Sequence, residues 1–376
     1  MLQNNKHKLT VIGVDVGGTK IAIGPVLIND DDQINKKGDS LISYHNYPTN
    51  IEEIIKQKDT STIREKFTIH ISSLILKVIE ETESKGYIVH RAIGLGSPGN
   101  IINGVISAKT TPQFGDAFND FDISKALSEK ISALYNENKN RIRSKFIVIA
   151  HNDALAQMAF GISELIQNKE YAELMNNQKV AYIGPGTGLG GGFANVHINN
   201  INSNIHSSVK LRANLQFFTD GHIGDIIVGY DKDGTPLWAE FELLSGMYIS
   251  RKTNGLTGKD LAAQIDKHLP FIEELGDNLG KIIYKIHTGD VYKARKTTLW
   301  SDEDRSSVRG ISIFIIGGSI GTKGRMGEII RTRAKKYLDN ILNANVKNCS
   351  NQIKIIPILS DSAYAGVIGA ANFVQL

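Results

Sequence analysis

The chain has 376 residues, 41% hydrophobic and 22% charged, with 43 Lys and Arg against 39 Asp and Glu for a net charge of +4. That length calls for two domains rather than one core, and a mild charge excess without a long basic run speaks against a nucleic-acid partner. The single cysteine, Cys349, excludes an internal disulfide and a thiolate-rich zinc site. With no apolar leader and no run of about 18 uncharged apolar residues, a soluble, cytoplasmic protein with no membrane partner is expected.

In chain order, Leu9–Val16 (LTVIGVDV) reads as a buried strand entering a tight turn at Gly17-Gly18, and Ile21–Leu27 as its antiparallel partner. The polar stretches Asp30–Asp39 and Asn46–Thr60 read as loops. Phe67, Ile71, Leu74, Ile75 and Val78 share one helical face, and Gly86 stands where a helix-ending glycine belongs. Ala92–Leu95 is a short strand broken by Ser97-Pro98-Gly99. Ile123–Leu134 follows as a helix, the basic Lys139–Lys145 as a solvated turn, and Phe146–Ala150 as a strand.

A helix is expected from Asp153 to about Ile166, and a strand at Val180–Ile183 ending in the glycine run Gly184–Gly192. Asn195–Ser208 is asparagine-rich and reads as a hairpin or excursion. Phe271–His287 reads as a helix starting after Pro270, with Gly276 and Gly280 as potential interruptions. Arg295–Val308 reads as a charged, exposed insertion, Ile311–Ile316 as a buried strand and Ser362–Phe373 as a small-residue helix. Strands, glycine turns and helices recurring in this way imply an α/β architecture. Its domains are expected at 1–150 and 151–361, with the C-terminal helix, 362–376, completing the first.

Three strand ends carry glycines: Asp15-Val-Gly-Gly-Thr-Lys20, Gly184–Gly192 and Gly317-Gly-Ser319. One such pair is ordinarily a plain turn. Three of them, one preceded by a buried Asp, suggest backbone N–H groups converging on an anion. There is no GxxxxGK[ST], and the first turn leads into a strand rather than a helix, so neither a P-loop nor a dinucleotide fingerprint fits. A nucleotide clamped by two phosphate hairpins remains. Gly17, Gly18, Thr19, Lys20, Gly186, Thr187, Gly188, Gly317, Gly318 and Ser319 are its candidate ATP residues, and Asp15 its candidate Mg2+ carboxylate, acting through water. In Ala150-His-Asn-Asp-Ala-Leu-Ala156, Asp153 stands where a strand runs into a helix, placed to take a proton from an attacking hydroxyl. The plainer alternative is that Asn152 or Asp153 merely caps that helix.

In this order the pieces resemble the ROK family of repressors and sugar kinases over nearly the whole chain. Val14-Asp-Val-Gly-Gly-Thr-Lys20 is similar to its first phosphate motif, and Gly94-Leu-Gly-Ser-Pro-Gly99 with Gly104 to its G-x-G-x-P-G loop. His151-Asn-Asp-Ala154 is similar to the E-N-D-A block, and Gly186–Gly192 to the second phosphate motif. Leu244-Ser-Gly246, Ile316-Gly-Gly318 and Ala365–Ala371 match the later helix starts. The resemblance implies an α/β, two-domain actin-like ATPase (ribonuclease H-like) fold. It also implies ATP with Mg2+, a hexose in an interdomain cleft beside the general base Asp153, and a homodimer.

It further implies sugar contacts from Pro98, Gly99, Asn152 and Asp153, and from the segment that stands for the family's E-x-G-H motif. Here that segment reads Asp220-Gly-His-Ile-Gly-Asp225, so Asp220, His222 and Asp225 are its candidates, in either of two alignments. Glu240 and Glu242 each lie one position off the frame of a later pocket acid, and His151 replaces the usual Glu without a catalytic role. Gly229–Trp238 fills the place of the family's zinc cluster with no cysteine, so no structural zinc is expected. Glucokinase-like turnover is the leading expectation. A catalytically silent sugar sensor, an N-acetylhexosamine kinase and a polyphosphate-dependent kinase are the alternatives. A repressor would need a DNA-binding segment of about 60 residues ahead of Leu9, where eight stand.

Overall fold

The computed structural model describes residues 8–28, 41–57, 59–107, 115–139, 144–198, 211, 213–218, 223–291, 294–295, 298–299, 301–322, 324–345, 353–360 and 364–374. All of Asp30–Asp39, the turn at 140–143, the later part of Asn195–Ser208, Asp220 and His222 lie outside the described residues. The chain divides into two compact units, with crossings between Phe160 and Gly161 and between Asp361 and Ser362. Residues 151–160 thus pack with the first unit.

The first unit is built on β1 (Leu9–Val16), β2 (Lys20–Leu27), β3 (His45–Pro48), β4 (Ile88–Ser97) and β5 (Ile147–Asn152), in the order β3-β2-β1-β4-β5. The first three strands form an antiparallel meander, and β4 and β5 add in parallel. Parallel neighbours need crossover helices. These are α1 (Thr60–Ser84) and α2 (Ile123–Lys139), each longer than the sequence pattern indicated. Asp59 caps α1 by accepting from the Thr62 N–H at 2.8 Å, and Gly86 ends it at φ 87°. Phe67, Ile71, Ile75 and Val78 of α1, with Leu127 and Ile131 of α2, bury one face of the sheet. The polar 46–60 stretch is not all loop. His45–Pro48 pairs with β2 as an edge strand, and Ile51 and Ile54 of a one-turn helix enter the core. After β5 the chain turns directly into α3 (Asp153–Leu165).

The second unit repeats the sheet with β6 (Gln178–Pro185), β7 (Leu189–Ile198), β8 (Ala213–Phe217), β9 (Ile313–Ile316) and β10 (Lys354–Pro357) in the order β8-β7-β6-β9-β10. Again the first three are antiparallel and the last two parallel. Its main helices are α4 (Gly246–Lys252), α5 (Ile265–Thr288) and α6 (Gly324–Asn345). Pro270 lies within α5 rather than before it, and Gly276 and Gly280 do not interrupt it. They let α6 approach: a Cβ on Gly276 would come within 2.8 Å of the Ile330 carbonyl oxygen, and one on Gly280 within 2.7 Å of the Tyr337 ring. The charged 295–308 stretch is not wholly exposed, since Asp302–Val308 is a helix whose Val308 joins the core.

The C-terminal α7 (Ala365–Ala371) returns to the first unit and covers the sheet face opposite α1 and α2, with Val11, Ala22, Val26 and Phe160. Among the described residues no helix is long and apolar enough to cross a membrane.

Candidate active site

The first unit gathers Asp15, Gly17–Lys20, Pro98, Gly99, Asn152 and Asp153 at the ends of β1, β4 and β5. Parallel register sets Asp15 beside Gly96 on β4, and Ser97 beside Asn152 on β5. The Gly17–Lys20 turn is closed by Gly17 N–H donating to the Lys20 carbonyl at 2.8 Å. Thr49 fixes it from the edge strand: its hydroxyl donates to the Gly17 carbonyl at 2.9 Å and its N–H to that of Thr19 at 3.1 Å. Thr19 and Lys20 remain exposed. No residue type singled out Thr49, because its role comes from strand pairing.

Asn152 is buried and is the residue that caps α3. Its Oδ1 accepts from the Ala154 N–H at 2.8 Å while its Nδ2 donates to the Gly99 carbonyl at 2.7 Å. One side chain thus ties the Pro98-Gly99 turn to the start of α3. Asp153 is relieved of most of that duty and accepts from the adjacent Ala154 N–H at 2.9 Å. Burial raises its pKa above the usual carboxylate value, against the backbone N–H bonds that lower it. Asp15 is pushed up to about 7, mainly by burial and further by the charge of Asp153, with Lys20 opposing. His151 points away from this chemistry, with its ring edge-to-face with Phe373 at 4.6 Å and its pKa lowered to about 4 by burial.

The second unit holds Gly186, Thr187, Gly188, Gly317, Gly318, Ser319 and Asp225. The turn between β6 and β7 is closed by Gly186 N–H donating to the Gly188 carbonyl at 2.9 Å and anchored through two of its carbonyls. Gly246 N–H donates to the Gly186 carbonyl at 2.7 Å and Met247 N–H to that of Thr187 at 3.2 Å, while Ser245 caps α4. Thr187 is exposed, and a Cβ on Gly186 would meet no atom within 4 Å, so the turn faces open space. The Gly317-Gly318 turn packs against it: a Cβ on Gly318 would collide with the Pro185 carbonyl, and one on Gly317 with the Tyr182 hydroxyl. A Cβ on Gly184 would also fall 2.8 Å from that hydroxyl, so the buried Tyr182 side chain separates the two glycine turns. Nothing in a lone strand tyrosine signals that.

Asp225 is buried at the end of a short turn, Ile223–Asp225. Glu240, one position off the expected frame, lies against the same turn and the phosphate-type loop. Its Oε1 accepts from Leu189 N–H at 3.3 Å, and its side chain fills the space beside Gly188 and Gly224. Among the described residues no three His, Cys, Asp or Glu side chains converge on a metal cage. Two neighbouring, partly buried carboxylates favour a cation nonetheless. Mg2+ keeps most of its water and needs few protein carboxylates, so this pair fits it. The exposed hydroxyls of Thr19 and Thr187 and the Lys20 ammonium fit phosphate.

No family model matches the sequence, and no curated protein matches it. Solved structures do. A ROK hexokinase from Thermus thermophilus is 17% identical, with 97% of each chain covered and a TM-score of 0.57. A ROK family glucokinase from Streptomyces griseus, in complex with glucose and AMPPNP, is 20% identical over 96% of this chain and 98% of that one, with a TM-score of 0.52. A ROK family transcriptional regulator, a homolog of the E. coli MLC protein, is 12% identical over 97% of this chain and 78% of its own, with a TM-score of 0.57. The chain therefore has the fold of the ROK sugar kinases, the two-domain actin-like ATPase fold.

Proposed function

We propose that the chain is a ROK-family sugar kinase that transfers the γ-phosphate of ATP to a hexose hydroxyl. The observation that carries this reading is Asp153: a carboxylate at the start of α3, freed from capping by Asn152, made a better base by burial, and sharing its site with Asp15. The sugar hydroxyl gives its proton to Asp153 as its oxygen attacks phosphorus in line. Pro98 and Gly99, held by Asn152, shape the sugar's surroundings, and Asp225 with Asp220 and His222 are the further groups we assign to its hydroxyls. Thr19 and Lys20 of the first unit, with Thr187 and the Gly317–Ser319 turn of the second, take the phosphates and nucleotide. Asp15 would hold Mg2+ through water, and the ion would supply charge neutralisation on the phosphates. We assign the reaction to the cytoplasm, where an ATP donor would be supplied.

The test is ADP release from Mg-ATP across a panel of hexoses and N-acetylhexosamines, with Asp153→Asn alongside and polyphosphate as alternative donor. Turnover of one sugar that the substitution abolishes supports the reading and names the substrate. A folded protein that binds a sugar but turns over none of the panel with either donor removes it in favour of a sensor.

A further inference from the structure

Most of the glycines under α7 serve backbone contact. A Cβ on Gly13 of β1 would collide with the Val367 carbonyl, and one on Gly94 of β4 with the Ala370 carbonyl. At these two points no side chain stands between helix and sheet, so main-chain atoms help to fix the height of α7 above β1 and β4. On α7 itself, Gly369 meets the main chain of α3 at Ala156, one turn beyond Asp153. Gly96 beneath α3 completes that contact, its Cβ position lying 3.6 Å from the Asp153 Cα and 3.2 Å from the Ala156 Cβ.

Gly366 is different. The three atoms nearest to a Cβ there belong to one side chain: the Oδ2 and Cγ of Asp15, with its Cβ at 2.9 Å. A carboxylate can swing to another rotamer around an alanine methyl, which relieves the two closest contacts and leaves the Asp15 Cβ, at 2.9 Å, to be met by a small shift. What glycine preserves is the rotamer in which the Asp15 carboxylate lies against α7. That rotamer also keeps the carboxylate close to Asp153, which acts on its charge.

We propose that Gly366 is a positioning residue for Asp15: the bare backbone of α7 at Gly366 is the wall against which the metal-side carboxylate is set, while Gly369 sets the helix that carries Asp153. The inference rests on the kinase reading for the role of Asp15, and on geometry alone for the contact. One short C-terminal helix thereby fixes the separation of the two acids, through contacts three residues apart.

The experiment compares Gly366→Ala, Gly369→Ala, Asp15→Ala and the Asp15→Ala/Gly366→Ala pair, reading Mn2+ affinity by EPR in the presence of AMPPNP, and thermal stability. Gly366→Ala is expected to weaken Mn2+ binding at least ~10-fold, through displacement of one charged ligand. Gly369→Ala is expected to lose stability and to weaken Mn2+ binding less than Gly366→Ala does, since it touches α3 and not Asp15. The stability lost in Gly366→Ala should shrink, without vanishing, once Asp15→Ala removes the two closest of the clashing atoms and leaves the Cβ, which a purely helical packing role would not produce. If Gly366→Ala does not fold alone, recovery of folding in the double variant supports the proposal and failure to recover overturns it. Wild-type Mn2+ affinity in Gly366→Ala, or an unchanged penalty in the Asp15→Ala background, also overturns it. A wild-type protein that binds no Mn2+ with AMPPNP sinks the metal role and the kinase reading together. Binding without turnover of any sugar sinks the kinase reading alone.

Discussion

The two units repeat one topology and divide the chemistry unequally. Each is a five-stranded sheet with an antiparallel meander followed by two parallel strands, and each turns at glycines after its first strand. In the first unit the ends of the first and last strands deliver Asp15 and Asp153. The corresponding ends in the second, Gly184-Pro185 and Pro357, deliver none, and the sheet offers backbone turns instead. Even the anchoring differs. A threonine from the edge strand holds the first turn, while the N–H groups opening α4 hold the second. A shared fold fixes where a site can be built, and side chains decide what it does there.

The largest expected effect lies in the first unit. Asp153→Asn should lower kcat at least ~100-fold with the fold and nucleotide affinity retained, as loss of a general base does. Thr187→Ala in the second unit should instead raise the KM for ATP, by about tenfold for one hydrogen bond to a charged group. Equal losses of kcat in both would break the division. Next in size is stability. Gly317→Ala should cost about 2 kcal/mol, because its methyl lands on the buried Tyr182 hydroxyl and ring, whereas Gly186→Ala should stay within ~0.5 kcal/mol in open space. Urea denaturation of both variants decides it, and equal costs would mean that the second turn is not built as described.

Much of this division was legible in the sequence. Apolar β-branched runs ending in glycine gave β1, β6 and β9, and a polar triplet after FIVIA pointed to Asp153. The rest was hidden for identifiable reasons. β3 is an edge strand with polar side chains, so period-two apolarity never appears in HNYP. α6 carries so many charges that its core face, Met326, Ile330, Ala334 and Leu338, reads as surface. Pro270 looks like a helix start because its ring excludes the preceding bond, yet α5 accommodates it a turn and a half in. Glu240 failed a frame argument that assumed an ungapped loop. Gly366 is one small residue in AGVIGAA, and only the structure tells the glycine facing Asp15 from those meeting backbone.

The acids also leave a mark on stability against pH. Folded Asp15 holds its proton to about 7 while the unfolded chain releases it near 3.8, so stability falls as pH rises through that window. His151 acts oppositely: folded it stays neutral down to about 4, unfolded it protonates near 6.5, so its contribution is lost as pH falls through that range. The two slopes oppose each other below 6.5. Asp153, whose pKa burial also raises, adds to the falling slope, so Asp15→Asn should make that slope shallower rather than remove it, and should make the metal-free protein more stable at pH 8 by about 1–3 kcal/mol. The ceiling is roughly 4 kcal/mol at about 1.36 per pKa unit. Parallel wild-type and variant curves between pH 4 and 8 would show that Asp15 bears no such strain.

The smallest effect tests the comparison most finely, because the same acid-to-amide change should act in opposite directions in the two units. Glu240 packs beside Gly188 and accepts a long bond from Leu189 N–H. Glutamine keeps that shape and that acceptor, so Glu240→Gln removes only a negative charge from beside a loop we assign to phosphate. Nucleotide should then bind slightly tighter, about twofold, as expected for relief of one partly screened repulsion. Glu240→Ala removes the strut as well and should weaken binding instead. In the first unit Asp15→Asn deletes an attractive charge for the metal and should weaken Mg-nucleotide binding. Isothermal titration with Mg-AMPPNP separates the cases. If Glu240→Gln weakens binding as Asp15→Asn does, both units contribute charge to the same task, and the second is more than a backbone cradle.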